Sequence, residues 1–372
     1  MSVAIFLGAI ASRAGGMETY EVQFLRALAQ QDRERAYDVY CLRRQAAQML
    51  GVDQPNFNII TLPINFRPLN VGLTMPALLA MSRARLVHPT YVPPFFCSQP
   101  YVYTIHSAVT WTHPEYYPKW IRWRLNSLQE KGIREARKLL CVSRYVRDFI
   151  ASEFRVPEDR LEVVYHGVSS RFFPRPVEKV KPLLKDRYKI DYPYFLFVGK
   201  LTANKNIYRL LRAFQRFREQ TRSDLRLVLA GRRLWSKGAL DAHMDRAVAS
   251  GAVIEIGHVD QEDMAPLYCG SRGLVFPSLH EGFGLPVLEA FACGIPVLTS
   301  NNSSFPEVTG GHAVLVNELS VDDIADGMRR LAEDEALRAK LICEGAAWVK
   351  SFTWENAARQ IRSIYDQVLT PS

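Results

Sequence analysis

The chain has 372 residues, too long for one ordinary core and about right for two domains. Apolar residues make up 48% and charged residues 23%, an ordinary globular composition, and no run approaches the ~18 consecutive apolar residues that a membrane span needs. The net charge of +9 is uneven: residues 1–172 hold 21 Lys and Arg against 14 Asp and Glu, while residues 173–372 hold 26 against 24, so an acidic partner is expected to meet the first part.

In chain order, Val3–Leu7 is a short apolar run that reads as a buried strand. A glycine loop with Gly15 and Gly16 follows, then a helical pattern with Tyr20, Phe24, Leu25 and Leu28 on one face. This opening segment lacks the basic n-region of a signal peptide. Further strands are expected at Tyr37–Cys41, Asn58–Leu62, Leu86–His88, Tyr101–Ile105, Lys138–Val142 and Leu161–Val164. Pro174, Pro176, Pro182 and Pro193 then break the pattern, and residues 173–193 read as a linker. Alternation restarts with strands at Tyr194–Val198, Leu225–Ala230, Val253–Ile256, Leu274–Phe276 and Val297–Thr299. Helices are expected at Ile207–Glu219 and near Leu240–Ser250, and two helical patterns, about 321–348 and 354–369, end the chain. Strands alternating with helices predict an α/β protein with parallel sheets in two Rossmann-like domains. The boundaries are 1–172, a linker 173–193, 194–351, and a final segment 352–372. Ligands of such sheets lie beyond the carboxyl ends of the strands, so two domains of this kind are expected to face a cleft. The six cysteines form no CxxC pair, which argues against a zinc site or a disulfide framework and places the chain in a reducing, cytoplasmic setting.

The densest motif follows the strand Leu274–Phe276: PSLHEGFGLPVLEAFACGIPV. Gly282 and Gly284 let backbone approach a ligand. Pro286 suits the first turn of a helix and Gly294 the position after its end, so a short helix near 286–293 is expected. Its first turn offers unpaired N–H groups to a phosphate. Glu289 on that helix and Glu281 in the loop before it are candidate polyol ligands. Beyond the strand Tyr194–Val198 stand Lys200 and Lys205, cations suited to a diphosphate whose charge grows as its bond to a sugar breaks.

The run Glu281–Ser300 resembles the E-x7-E signature of the retaining glycosyltransferases often called group 1 or family 4. The resemblance implies a GT-B fold, with the last helix crossing back to the first domain. It gives Glu281 to the donor sugar and Glu289 to the ribose hydroxyls, both in the C-terminal domain. It sets the amides of Phe283, Gly284 and Leu285 at the diphosphate and sugar, and gives Lys200 and Lys205 to the diphosphate, with Lys200 standing where Arg is commoner. Gly16 falls on the family's glycine loop, with Arg13 and Glu18 as weaker acceptor candidates. His106, after the strand 101–105, falls where the family contacts the donor sugar, with Ser107 in place of a common Asp. The implied activity is metal-independent transfer of a hexosyl group, with mannosyl the favoured one, with retention. The donor is a nucleotide-diphosphate sugar, GDP-mannose favoured over a UDP-sugar, and the acceptor a saccharide or lipid-linked molecule in cell-surface polysaccharide or glycolipid synthesis. No cofactor is implied. The rivals are a nucleotide-sugar epimerase or a phosphorylase of the same architecture, and a non-catalytic sugar-nucleotide binding module.

One stretch stands outside the motif. Residues 118–140 are rich in Arg and Lys and carry Trp120 and Trp123. A basic amphipathic helix of this kind suits the anionic inner face of the plasma membrane. The alternative is a helix whose aromatics pack on its own domain. Nucleic acid is not expected, because no binding motif accompanies the charge.

Overall fold

A computed structural model describes residues 2–11, 15–62, 69–234 and 239–370. The chain divides into two compact units, one formed by residues 1–167 and 353–372 and the other by 168–352.

In the first unit, strands β1 (Ser2–Leu7), β2 (Ala36–Cys41), β3 (Phe57–Thr61) and β4 (Leu86–Pro89) form a parallel sheet in the order β3-β2-β1-β4. Strands β5 (Val102–Ile105), β6 (Lys138–Cys141) and β7 (Leu161–Val163) form a second parallel set, β5-β6-β7. A parallel bridge between Val87 and Tyr101 links the two sets. Val3, Ala4 and Ile5 are fully buried, as a strand covered on both faces requires. The helix Gly16–Gln31 buries the predicted face, Tyr20, Phe24, Leu25 and Leu28. The last helix, Trp354–Leu369, lies against it, burying Trp354, Ile361, Ile364 and Tyr365. Thr353 starts that helix by accepting a hydrogen bond from the amide of Asn356 at 3.1 Å, and Gln31 donates to Glu355 O at 2.7 Å. The basic stretch forms the helix Lys119–Glu135, shorter than residues 118–140 because Lys138 already belongs to β6. Its tryptophans do not pack on the unit: Trp120 is 64% exposed and Trp123 74%.

The second unit holds β8 (Tyr194–Val198), β9 (Arg226–Ala230), β10 (Val253–Gly257), β11 (Gly273–Phe276), β12 (Val297–Ser300) and β13 (Val314–Val316), all parallel. Their order is β10-β9-β8-β11-β12-β13. This is the doubly wound Rossmann order, and the connection reverses direction between β8 and β11. The switch point therefore lies past Val198 and past Phe276, the two places where the sequence set its cations and its glutamate loop. The strand β13 was not among the predicted elements. The helical pattern 321–348 proves to be two helices, broken at Asp334, whose side chain caps the second by accepting from Leu337 N at 2.8 Å.

Residues 173–193, expected as a linker, belong to the second unit. They contain the helix Val177–Tyr188, which carries Pro182 inside it. The proline removes one backbone donor, but Val180 and Leu184 bury against the helix Met264–Cys269, and Leu184 occupies the space that a side chain at Gly270 would fill. The boundary falls at 167/168 and 352/353 rather than at 172 and 351.

Candidate functional site

In the second unit, β11 ends at Phe276 and the chain runs through an irregular loop to the helix Leu285–Ala292. Gly284 caps this helix with φ 104°, a conformation that glycine adopts without strain. Its N–H and that of Leu285 have no acceptor among the described residues, as expected at a helix start. Ser304 Oγ lies 3.1 Å from Glu281 O and 2.9 Å from Phe283 O, and Glu281 N donates to Ser303 Oγ at 3.2 Å. Asn302 Nδ2 donates to Leu279 O at 3.1 Å, so the turn after β12 clamps the whole loop.

A second clamp comes from the segment after β8. Leu279 N donates to Asn204 O at 2.9 Å, and Asn206 Nδ2 donates to Pro277 O at 3.0 Å and to Glu318 O at 2.7 Å. Lys205, between those asparagines, forms an ion pair with Glu281, the two side chains 17% and 16% exposed. The Lys205 ammonium also stands 5.1 Å from the ring centre of Phe276. Lys200 follows Gly199, whose N–H donates to Ala230 O at 2.9 Å. The tight approach of the two strand ends is set by Gly231, where a Cβ would meet Gly199 O at 1.8 Å.

Glu289 lies in the second turn of its helix. Tyr268, fully buried on the helix Met264–Cys269, donates its hydroxyl to Glu289 Oε2 at 2.8 Å. Burial pushes the Glu289 carboxyl up to about 7, against the opposing pull of the Tyr268 hydroxyl and the Arg171 charge.

In the first unit, Gly15 (φ 73°) precedes the helix that begins at Gly16. The loop between β1 and that helix is held from within the helix. The Glu21 carboxylate, 1% exposed, accepts from Gly8 N at 2.7 Å, from Ala9 N at 2.9 and 3.0 Å and from Ile10 N at 2.6 Å. The Thr90 hydroxyl, past the end of β4, is 2.6 Å from the same carboxylate. Burial outweighs these bonds and raises the Glu21 carboxyl to about 7. His106 follows β5, and its Nε2–H donates to Thr90 O at 2.8 Å. Burial pushes its imidazole down to about 4, so it is neutral near pH 7. Its ring meets Tyr20 edge-on at 4.7 Å. Deeper in, His88 bridges Tyr365 Oη at 2.5 Å and Thr104 Oγ1 at 2.7 Å.

Residues 14–172 match the family model described as Glycosyltransferase Family 4, and residues 181–366 match the one described as Glycosyl transferases group 1. The chain belongs to the group 1 glycosyltransferases. This glycosyltransferase is 35% identical over 266 residues to the O-antigen chain mannosyltransferase B of Escherichia coli, a match covering 71% of this chain and 69% of that one. It is 25% identical over 317 residues to the O-antigen chain mannosyltransferase RfbU of Salmonella typhimurium, covering 81% and 83%. Its structure matches that of a glycosyltransferase from Rickettsia africae with a TM-score of 0.75 at 17% identity, over 100% of this chain and 99% of that one. The fold is thus of the GT-B type, and neither an epimerase nor a phosphorylase is favoured.

The glycosyltransferase brings together two of the residues singled out in the sequence, Lys205 and Glu281, and sets Phe283, Gly284 and Leu285 at the start of the helix that carries Glu289. Lys200 stands two residues beyond the neighbouring strand, which ends at Val198. Gly16 and His106 stand in the other unit. Glu18 lies in the first turn of its helix, and Arg13 falls outside the described residues. Sequence reasoning missed Tyr268, Ser303, Ser304, Glu21 and Thr90. Only Glu21 carried a signal: it is an acid three and four residues before Phe24 and Leu25, on the apolar face of its helix.

Proposed function

We propose that this glycosyltransferase moves a mannosyl group from GDP-mannose, in preference to a UDP-sugar, to a saccharide or lipid-linked acceptor, with retention and without a metal, in the building of a cell-surface polysaccharide. The mannosyl reading rests on the two O-antigen mannosyltransferases it resembles. The observation that carries the site assignment is the Lys205–Glu281 pair, held by two clamps at the switch point of a Rossmann sheet. In this reading Glu281 holds the donor sugar and Lys205 and Lys200 meet the diphosphate. The amides of Phe283, Gly284 and Leu285 add their N–H dipoles there, Glu289 takes the ribose hydroxyls, and Gly16 borders the diphosphate.

The bond from C1 of the sugar to the phosphate oxygen breaks, the acceptor oxygen bonds to C1 on the same face, and the departing phosphate takes the acceptor's proton. The two lysines stabilise the charge that this cleavage leaves on the phosphate. His106 is neutral and donates from Nε2 to Thr90, so its ring acts as a hydrogen-bonding partner of the donor sugar and not as a proton donor.

Thermal unfolding against GDP-, UDP-, ADP- and dTDP-sugars tests the donor: GDP-mannose should raise the melting temperature with concentration, more than any other. A shift with none of them would sink the reading. A product of inverted anomeric configuration would sink the retaining part alone.

Among the described residues no helix is long and apolar enough to cross a membrane. The exposed Trp120 and Trp123, beside Lys119, Arg122 and Arg124, support contact of the first unit with an anionic bilayer surface. Flotation with phosphatidylglycerol vesicles, lost on Trp120→Ala/Trp123→Ala, is the expected result. No flotation of the wild type would retire the membrane contact.

A further inference from the structure

Glu289 has three side-chain torsions and sits on an eight-residue helix, so nothing in its own backbone fixes the plane of its carboxylate. Tyr268 supplies that constraint from a neighbouring helix. Its ring is fully buried and packs edge-on against Phe172 at 5.8 Å, which leaves the hydroxyl one direction in which to point. That direction is Oε2 of Glu289, at 2.8 Å. The other oxygen, Oε1, has no hydrogen-bond partner among the described residues. The carboxylate is therefore held by one oxygen and open at the other, while Glu289 as a whole is only partly covered. A carboxylate pinned in this way is set before a ligand arrives, and the rotational freedom of a glutamate need not be lost on binding.

We propose that Tyr268 is a positioning residue that orients Glu289 toward the ribose hydroxyls, and that it thereby sets the preference of the site for a ribonucleoside over a deoxyribonucleoside diphosphate. The inference rests on the reading that Glu289 takes the ribose. Tyr268 touches neither the sugar nor the reacting atoms and acts through the carboxylate alone.

The test is calorimetric binding of GDP and UDP, each beside its 2′-deoxy counterpart, to wild type, Tyr268→Phe, Glu289→Gln and the double variant. Wild type should bind the better ribonucleotide about ten-fold or more tighter than its deoxy form, as for a hydrogen bond to a charged group. Tyr268→Phe removes one oxygen and keeps the ring. The ratio should fall to within about three-fold, with the deoxy affinity nearly unchanged, because the lost order matters only to the hydroxyl. In the Glu289→Gln background, Tyr268→Phe should change the ratio less than two-fold. Absence of discrimination in the wild type, or no binding of either nucleotide, overturns the reading of Glu289 itself. Discrimination that survives Tyr268→Phe overturns the role of Tyr268 and leaves Glu289 standing. An equal weakening of both nucleotide forms, or an undiminished effect in the Glu289→Gln background, marks Tyr268 as structural only and also overturns it. If Tyr268→Phe does not fold, Glu289→Asp serves instead, since the shorter acid stays ionisable but falls short of the hydroxyl. Retained discrimination in that variant overturns the proposal.

Discussion

A methyl group at Gly231 probes how closely the two strand ends at the switch point must approach. The Cβ of Gly231→Ala would stand 1.8 Å from Gly199 O and 2.7 Å from its carbonyl carbon. Carbon and oxygen in contact keep about 3.3 Å, so one segment must retreat by about 1.5 Å. The segments are tied on both sides of the contact, by Gly199 N to Ala230 O and by Leu201 N to Arg232 O, each at 2.9 Å. Relief therefore strains two backbone bonds at once. Overpacking typically costs about 1–3 kcal/mol, and weakening two hydrogen bonds adds about 1 kcal/mol or more. At about 2–4 °C per kcal/mol for a unit of this size, the melting temperature should fall by about 4–16 °C. Lys200 is the next residue along, and a shift of about 1 Å in a positioned group costs on the order of a hundred-fold in rate. The assays are thermal unfolding and kcat/KM with the donor. Gly311→Ala is the control: its φ of 83° makes the substitution strained, but nothing lies within 4 Å of the new methyl. It should lose about 1 kcal/mol with turnover intact. A Gly231→Ala protein within 2 °C and two-fold of wild type would refute the steric reasoning.

Two further outcomes are expected. Lys205→Ala leaves the Glu281 carboxylate without its cation, and kcat/KM should drop at least a hundred-fold, with an unchanged value counting against any role of Lys205 at the diphosphate. Glu21 has its carboxyl raised by burial from 4.5 to about 7. The folded state therefore holds this proton more tightly than the unfolded one, so its stabilising contribution is full below about pH 4.5 and is lost as pH rises through about 7. The change is on the order of 3 kcal/mol for one group. Urea unfolding of wild type and Glu21→Gln should give a stability difference that moves in favour of the variant between pH 4.5 and pH 8. A difference independent of pH would show that the Glu21 carboxyl titrates alike in the folded and unfolded states, and would refute the upward shift.

The sequence carried most of this fold because parallel strands covered on both faces read as apolar runs. Val3–Leu7, Tyr194–Val198 and Val297–Thr299 each stand out this way. The helix Leu285–Ala292 was legible from Pro286 and Gly294, which mark its ends. Residues 177–188 were not, because Pro182 breaks the local pattern and the reason for a helix, the seat of Leu184 over Gly270, lies far along the chain. The strand Val314–Val316 is three residues long and exists by its pairing with β12. At the site, Glu281 and Lys205 were read from motif and position. Their ion pair spans 76 residues and Tyr268 meets Glu289 across 21, separations that no periodicity records.

The discontinuity of the first unit bears on the order of synthesis. Residues 168–352 are one uninterrupted stretch and can close their sheet as soon as they have been made, whereas the first unit waits for residues 353 onward. Until then the helix Gly16–Gln31 lacks the cover of the last helix, Trp354–Leu369, and His88 lacks the hydroxyl of Tyr365 on its Nδ1. The segment made first is thus the last to finish folding. A released chain ending at residue 352 should show a protease-resistant second unit beside a first unit that is still cut.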